Sequence, residues 1–119
     1  MKIVIAIFCC SLFVITAGAQ TSSRPDPAKK VQVVEASCGE CQFHLPGKGC
    51  ELAIRINGKA YFVDGTSIDD HGDAHAKDGF CEAIRKAEVQ GEIVDNRFKA
   101  TYFRMLKPVK KEEKKNKQD

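Results

Sequence analysis

The sequence predicts a small, mainly β (α+β) domain. Its expected form is a five-stranded OB-like barrel, or a strand meander, with one short helix between strands 3 and 4. Three segments alternate apolar and polar residues, as strands with one buried face do. Two pairs, Asn57-Gly58 and Asp95-Asn96, are suited to tight hairpin turns. One further segment has apolar residues at helical spacing. The resulting order of elements is that of the OB barrel.

The first three strands follow one another closely. Residues 31–36 are rich in β-branched side chains and predict the first strand. Leu52, Ile54 and Ile56 alternate with less apolar neighbours and predict the second strand. The third strand, residues 59–64, returns directly after the Asn57-Gly58 turn, because both turn residues tolerate a positive φ.

A helix and two strands complete the predicted domain. Residues 76–86 are expected to form the short helix, with Phe80, Ile84 and Ala87 as its buried stripe, although Gly79 weakens this helix. Residues 87–93 and 97–106 alternate again and predict the fourth and fifth strands.

The amino-terminal 19 residues have the features of an export signal. Lys2 precedes an uncharged apolar run, and small residues lead up to Ala19. The run is shorter than the ~20 residues of a transmembrane helix. We therefore expect cleavage near Ala19 and an exported mature chain, periplasmic or secreted. Cys9 and Cys10 lie within the signal, and Phe8 before Cys9 argues against lipid attachment.

The mature chain is expected to have three parts. Residues 20–30 contain two prolines and no large apolar side chain, which predicts a flexible leader. Residues 31–106 form the domain, and residues 107–119 form a charged, disordered tail. The tail holds six lysines and three acidic residues, leaving 12 basic against 13 acidic residues in 20–106. This near-neutral domain indicates no specific nucleic-acid partner. The lysine-rich tail suits weak contact with an anionic membrane or cell-wall polymer.

Two stretches, residues 38–50 and 69–81, hold every cysteine and histidine outside the first ten residues. The Cys38-x-x-Cys41 spacing is half of a typical zinc site, and the loop before Cys50 can fold back toward it. The second stretch offers two histidines and a cysteine. The predicted metal ligands are Cys38, Cys41, Cys50, His71, His75 and Cys81.

Thiolate and imidazole ligands favour zinc, with copper second, over magnesium or calcium. Asp70 and Asp73 are expected either to bind the metal directly or to orient a histidine next to it. The sequence thus predicts an exported metal-binding domain.

Two other interpretations stay open. In an oxidising compartment the four cysteines permit two structural disulfides, in any of three pairings, among Cys38, Cys41, Cys50 and Cys81. The protein would then be a disulfide-stabilised OB-like binding module without a metal.

A redox-active Cys38–Cys41 pair ranks last among the cysteine roles, because residues 43–49 do not continue as a helix. A small metal-dependent or thiol enzyme is the third interpretation, and no catalytic motif accompanies it.

Several motifs together resemble a family of short exported bacterial proteins of unknown function. They are Cys-Gly-x-Cys-x-Phe at residues 38–43, Gly-Lys-Gly-Cys-x-Leu-Ala at 47–53 and Asp-Asp-His-Gly-Asp-Ala-His-Ala-x-Asp-Gly-Phe-Cys at 69–81. The resemblance spans residues 38–106 and carries no established activity. It implies that the six predicted ligands belong to one pattern and that His44 lies outside it.

Overall fold

Five strands form a closed barrel in the computed structural model, which describes residues 20–107. The predicted export signal (1–19) and the predicted tail beyond residue 107 lie outside the described residues. No helix in the described part of the chain is both long and apolar enough to cross a membrane. The strands are β1 (Gln32–Cys38), β2 (Leu52–Ile56), β3 (Lys59–Asp64), β4 (Arg85–Val94) and β5 (Arg97–Met105).

The strand order β1-β2-β3-β5-β4 confirms the OB-like barrel and excludes the simple meander. In a meander β3 would pair with β4, whereas here it pairs with β5, in parallel, through Val63 and Phe98. The other four pairs are antiparallel, and the β1–β4 pair closes the barrel. Closure leaves no free sheet edge along the paired segments.

Both predicted hairpin turns are confirmed. Asn57 and Gly58 have φ of 49° and 83°, and Asp95 and Asn96 have φ of 51° and 61°. Two consecutive positive φ values are the signature of the type I′ turn, whose twist matches that of the flanking strands. The β2–β3 and β4–β5 registers are therefore fixed locally, by two residues each.

The predicted position of the helix is wrong. The barrel's one α-helix is α1 (Gly39–Gln42), between β1 and β2, and a 3-10 helix (Ile68–His71) lies between β3 and β4. Residues 76–86 hold turns followed by the start of β4. Glycine is needed at position 79 in these turns, because a Cβ there would lie 2.5 Å from the carbonyl oxygen of Ala74. Phe80 and Ala87 are buried as predicted, but Ile84 is 41% exposed.

A β-bulge decides which side chains of β5 enter the core. Gln90 pairs with Tyr102 but Gly91 pairs with Ala100, so Thr101 is the extra residue. One extra residue reverses the inward face of a strand. The inward residues of β5 are consequently Phe98, Ala100 and Phe103. Ile93, near the end of β4, is exposed. The rest of the core is formed by buried side chains of the other four strands and the β3–β4 loop: Val34, Ala36, Cys38, Leu52, Ile54, Val63, Ile68, Ala74, Phe80, Ala87 and Val89.

The leader, residues 20–30, lies against the outer face of β4 and β5. The Ser22 N–H donates to the carbonyl oxygen of Thr101 at 2.8 Å. The Gln90 side chain accepts from the Asp26 N–H at 2.7 Å and donates to the carbonyl oxygens of Asp26 and Lys29. Gln90 is only 2% exposed, so the leader satisfies a buried amide of the barrel. These contacts differ from the flexibility that its composition predicts.

Candidate metal centre

Three separate segments bring four thiols together at one end of the barrel. Cys38 is the last residue of β1, Cys41 lies in α1, Cys50 precedes β2, and Cys81 lies in the turn before β4. Their Sγ atoms all lie within 4.8 Å of one another. All four are free thiols, and the Sγ atoms of Cys50 and Cys81 are 2.9 Å apart. This group is called the thiol cluster below.

Backbone hydrogen bonds at the end of β1 hold the cluster together. The Cys38 N–H donates to the carbonyl oxygen of Phe80 at 3.1 Å, next to Cys81. The following N–H, of Gly39, donates to the carbonyl oxygen of Glu51 at 2.8 Å, next to Cys50. Two consecutive residues, the last of β1 and the first of α1, thus fix the two loops that carry the distant cysteines.

Helix α1 depends on a close approach to the barrel at Gly39. A Cβ on this residue would lie 2.6 Å from Cε1 of Phe62 and 3.0 Å from Cβ of Ala53. Glycine therefore lets the turn between the first two cysteines lie directly on β2 and β3. On the other side of α1, Nε2 of Gln42 donates to the carbonyl oxygen of Cys81 at 2.8 Å.

Glu40, inside the Cys-x-x-Cys segment, supports the cluster, although it is not among the predicted ligands or the aspartates predicted to support them. Its Oε2 accepts from the Glu51 N–H at 2.9 Å and from the Cys38 thiol at 3.6 Å. Its Oε1 is buried without a hydrogen-bond partner among the described residues. The carboxylate thus connects α1 to the loop that carries Cys50. Its position between two predicted ligands was the only signal for it in the sequence.

The four thiols differ in exposure, and close packing raises the pKa of Cys41 and of Cys50. Cys38 is fully buried, Cys50 and Cys81 are half-buried, and Cys41 is exposed. Hydrogen bonding to Cys38, followed by desolvation, raises the pKa of Cys41 to about 11. Burial, followed by hydrogen bonds with Cys38 and Cys81, raises the pKa of Cys50. Without a metal both thiols are protonated at neutral pH, and a cation that binds them must displace these protons.

The geometry suits a tetrahedral thiolate centre. Four sulfurs at Zn–S distances of ~2.3 Å would be separated by ~3.8 Å. The cluster's longest separation is at most 4.8 Å and the Cys50–Cys81 separation is 2.9 Å, so small side-chain movements would produce that tetrahedron. An all-sulfur donor set favours zinc, copper(I) or iron over magnesium and calcium.

The two predicted histidine ligands lie outside the group of ligand atoms that the cluster defines. Nε2 of His71 is 2.9 Å from Oγ1 of Thr66, and its ring centroid is 4.7 Å from that of Phe103. Burial lowers the pKa of His71. His75 is exposed, and so is His44. The structure therefore brings together the four predicted cysteines and places the histidines elsewhere.

The two aspartates predicted to support the site shape the β3–β4 loop. Oδ2 of Asp70 accepts from the Ser67 N–H at 2.8 Å and from the Thr66 hydroxyl at 3.1 Å, which caps the 3-10 helix. Through Thr66, this carboxylate is linked to His71. Oδ1 of Asp73 accepts from the His75 N–H at 2.9 Å and stabilises a turn.

A protein family described as a family of unknown function (DUF6370) matches residues 32–106. The chain belongs to this family. The match begins at the first residue of β1 and ends one residue after β5, so it contains the whole barrel and the thiol cluster. It agrees with the predicted membership of an uncharacterised family. No curated protein and no solved structure matches the chain.

Proposed function

We propose that this protein is an exported domain that binds one transition-metal ion through Cys38, Cys41, Cys50 and Cys81, with zinc preferred and copper second. The observation that carries the proposal is the convergence of four thiols from three chain segments within 4.8 Å. Four free thiols packed this closely gain little from one another as neutral groups. As thiolates they repel, and a bound cation removes that repulsion.

Zinc fits the cluster best because it accepts four tetrahedral thiolates without a change of oxidation state. Copper(I) is also a soft, thiol-binding ion and is the main competitor. When bound, the metal would crosslink the β1–β2 and β3–β4 loops, because its ligands come from both. Export of the mature chain is part of the proposal and is supported by the sequence of residues 1–19.

A metal-free, disulfide-stabilised module is the second candidate. The 2.9 Å separation between the Cys50 and Cys81 sulfurs favours it, since this pair needs little movement to become a disulfide. The two candidates differ in the number of free thiols and in metal content.

The decisive test is metal titration of the mature chain, beginning at Gln20, prepared reduced and free of metal. We expect one zinc ion per chain by elemental analysis and protection of four thiols from alkylation. Cobalt(II) should replace zinc and give a thiolate-to-cobalt charge-transfer absorption. No metal uptake under these reducing conditions would refute the proposal.

Two matched variants locate the site. Cys41→Ser removes a cluster thiol at an exposed position, where the effect on folding should be smallest, and should abolish tight binding. His75→Ala alters an exposed side chain outside the cluster and should bind as the wild type does. Equal loss in both variants would contradict the four-cysteine site and restore the mixed histidine and cysteine site. A competition between zinc and copper(I), read by mass spectrometry of the intact complex, decides the metal.

A further inference from the structure

We infer that Cys50 and Cys81 are a specific oxidation site: a small disulfide crosslinks this pair, and the crosslink releases the metal. The release rests on the proposed function, whereas the crosslink does not. Among the six pairs of cysteines that could form a single disulfide here, the geometry points to this one. The two sulfurs are 2.9 Å apart, and a disulfide requires ~2.05 Å.

The backbone around the pair is already in place. The carbonyl oxygens of Phe80 and Glu51, each adjacent to one of the two cysteines, accept from consecutive N–H groups at the end of β1. Both loops are thus held by the same point of the barrel. Forming the bond needs less than about 1 Å of sulfur movement and no change of strand pairing.

A co-reactant can reach this pair. Cys50 lines a groove of about 570 Å³ between the β3–β4 loop and the start of β2, and Cys81 is half-buried rather than enclosed. The groove has hydroxyl and charged side chains on its walls, among them Thr66, Ser67 and Arg97. Its volume admits a small, polar disulfide such as glutathione disulfide. Cys38, in contrast, is fully buried.

The chemistry is thiol–disulfide exchange. One thiol of the pair loses its proton and attacks a sulfur of the small disulfide, whose S–S bond breaks and releases one small thiol. The second thiol of the pair loses its proton and attacks the protein sulfur of the mixed disulfide, releasing the second small thiol. The pair is oxidised by two electrons, and the small disulfide is reduced to two thiols.

Oxidation of this pair leaves Cys38 and Cys41 as the only cluster thiolates. Two ligands do not complete a tetrahedral site, so the metal leaves. The same cluster therefore holds a metal when reduced and a crosslink between two loops when oxidised. Both the metal-bound state and the disulfide state join the β1–β2 loop to the β3–β4 loop, so these two loops stay linked in each state.

Peptide mapping tests the pairing without any substitution. Trypsin separates the cysteines into residues 31–48 with Cys38 and Cys41, 49–55 with Cys50, and 78–85 with Cys81. After treatment of the folded, metal-free mature chain with glutathione disulfide, we expect peptides 49–55 and 78–85 to be joined as the main product. A main product that joins 31–48 to another peptide, or that closes within 31–48, would overturn the inference.

The zinc-loaded chain, treated in the same way with a chromogenic chelator present, tests the release. We expect one zinc ion freed per Cys50–Cys81 crosslink, and recovery of binding after reduction. Cys41→Ser should still form the crosslink, whereas Cys81→Ser should not. A crosslink that forms while zinc stays bound refutes the coupling. If the crosslink forms in a chain that never binds zinc, the proposed function fails and the oxidation site stands.

Discussion

Among individual residues, Glu40 shows how a charged side chain can organise a site without being a ligand. It connects the Cys38 thiol and the Glu51 N–H, and these two groups belong to different sides of the cluster. His71 shows the reverse, because a residue with metal-ligand chemistry is used for packing between Phe80 and Phe103. The type of a residue alone is therefore a poor guide to whether it would bind the metal or hold the thiol cluster in place.

Glu40→Ala should weaken both folding and metal binding. Loss of the hydrogen bond to the Glu51 N–H is expected to lower the free energy of unfolding by about 1–3 kcal/mol. Metal affinity should fall roughly 10-fold, as for other residues that position ligands. Urea denaturation and competitive zinc titration measure the two effects. Glu51→Ala is the matched control, because it removes an exposed carboxylate and keeps the N–H. Equal effects in both variants would show that they come from the loss of a negative charge near the cluster and not from the loss of the Glu40 hydrogen bonds.

Asp70 should make a small part of the stability pH-dependent. The Ser67 N–H, followed by the Thr66 hydroxyl, holds the pKa of Asp70 below its ordinary value of 3.8. Since the folded pKa is the lower one, the contribution is present above the unfolded pKa and is lost as the pH falls through the folded pKa. The Tm difference between wild type and Asp70→Asn should thus be largest near neutral pH, begin to fall at about pH 4 and shrink further as the pH drops below that.

Thermal unfolding of both proteins between neutral pH and pH 3 measures this difference. Asp69→Asn is the matched control, because it removes a charge at the neighbouring exposed position and keeps the hydrogen bonds of Asp70. A Tm difference that persists unchanged in acid would mean that Asp70 stabilises the loop by shape and not by its charged form.

Among the secondary-structure elements, α1 determines whether the cluster forms. This four-residue helix is too short to be stable alone. It is held by contacts with the barrel at Gly39 and by the Gln42 side chain. The position of α1 thus depends on packing, and the Cys38–Cys41 geometry depends on α1.

Gly39→Ala should displace α1 and disturb the cluster. The new methyl group would meet Phe62 and Ala53 at 2.6 and 3.0 Å, so we expect a loss of about 1–3 kcal/mol in unfolding free energy, together with weaker metal binding. Gly49→Ala, in the same cysteine-bearing loop, is the matched control, because its Cβ would have no atom within 4 Å. The control should stay within about 0.5 kcal/mol of wild type. Denaturation and zinc titration of both variants make the comparison, and similar losses would show a general intolerance of the loop.

In the whole molecule, the barrel and the leader form one unit in the described residues. The leader covers Gln90 and Tyr102, which are 2% and 5% exposed although they lie on the outer side of the barrel. Most of its partners are on β4 and β5, and one hydrogen bond runs from the Thr21 N–H to the carbonyl oxygen of Gly65 at the start of the β3–β4 loop, whereas the thiol cluster is built on the end of β1 and on Cys50 and Cys81. Stability from the leader and metal binding are therefore expected to be separable.

A chain that begins at Val31 should be less stable than one that begins at Gln20, by roughly 1–3 kcal/mol. The truncation removes several hydrogen bonds of about 1 kcal/mol each, partly offset by the entropy of ordering the leader. Urea denaturation measures the loss, and zinc affinity should be unchanged. Equal stability of the two chains would mean that the leader does not hold to the barrel in solution, as its composition predicts.

The strands, both hairpin turns and the candidate cysteine ligands could be predicted from local sequence patterns. Those features depend on local rules: alternation along a strand, positive φ at Asn57-Gly58 and Asp95-Asn96, and thiol spacing at Cys38 and Cys41. The sequence misplaced the helix, because Phe80, Ile84 and Ala87 have helical spacing, whereas the chain forms turns there, with Gly79 packed on the backbone of Ala74. Only the tertiary structure separated the cysteines from the histidines. Barrel closure brings Cys50 and Cys81, 31 residues apart, to the end of β1, while His71 packs beside Phe103.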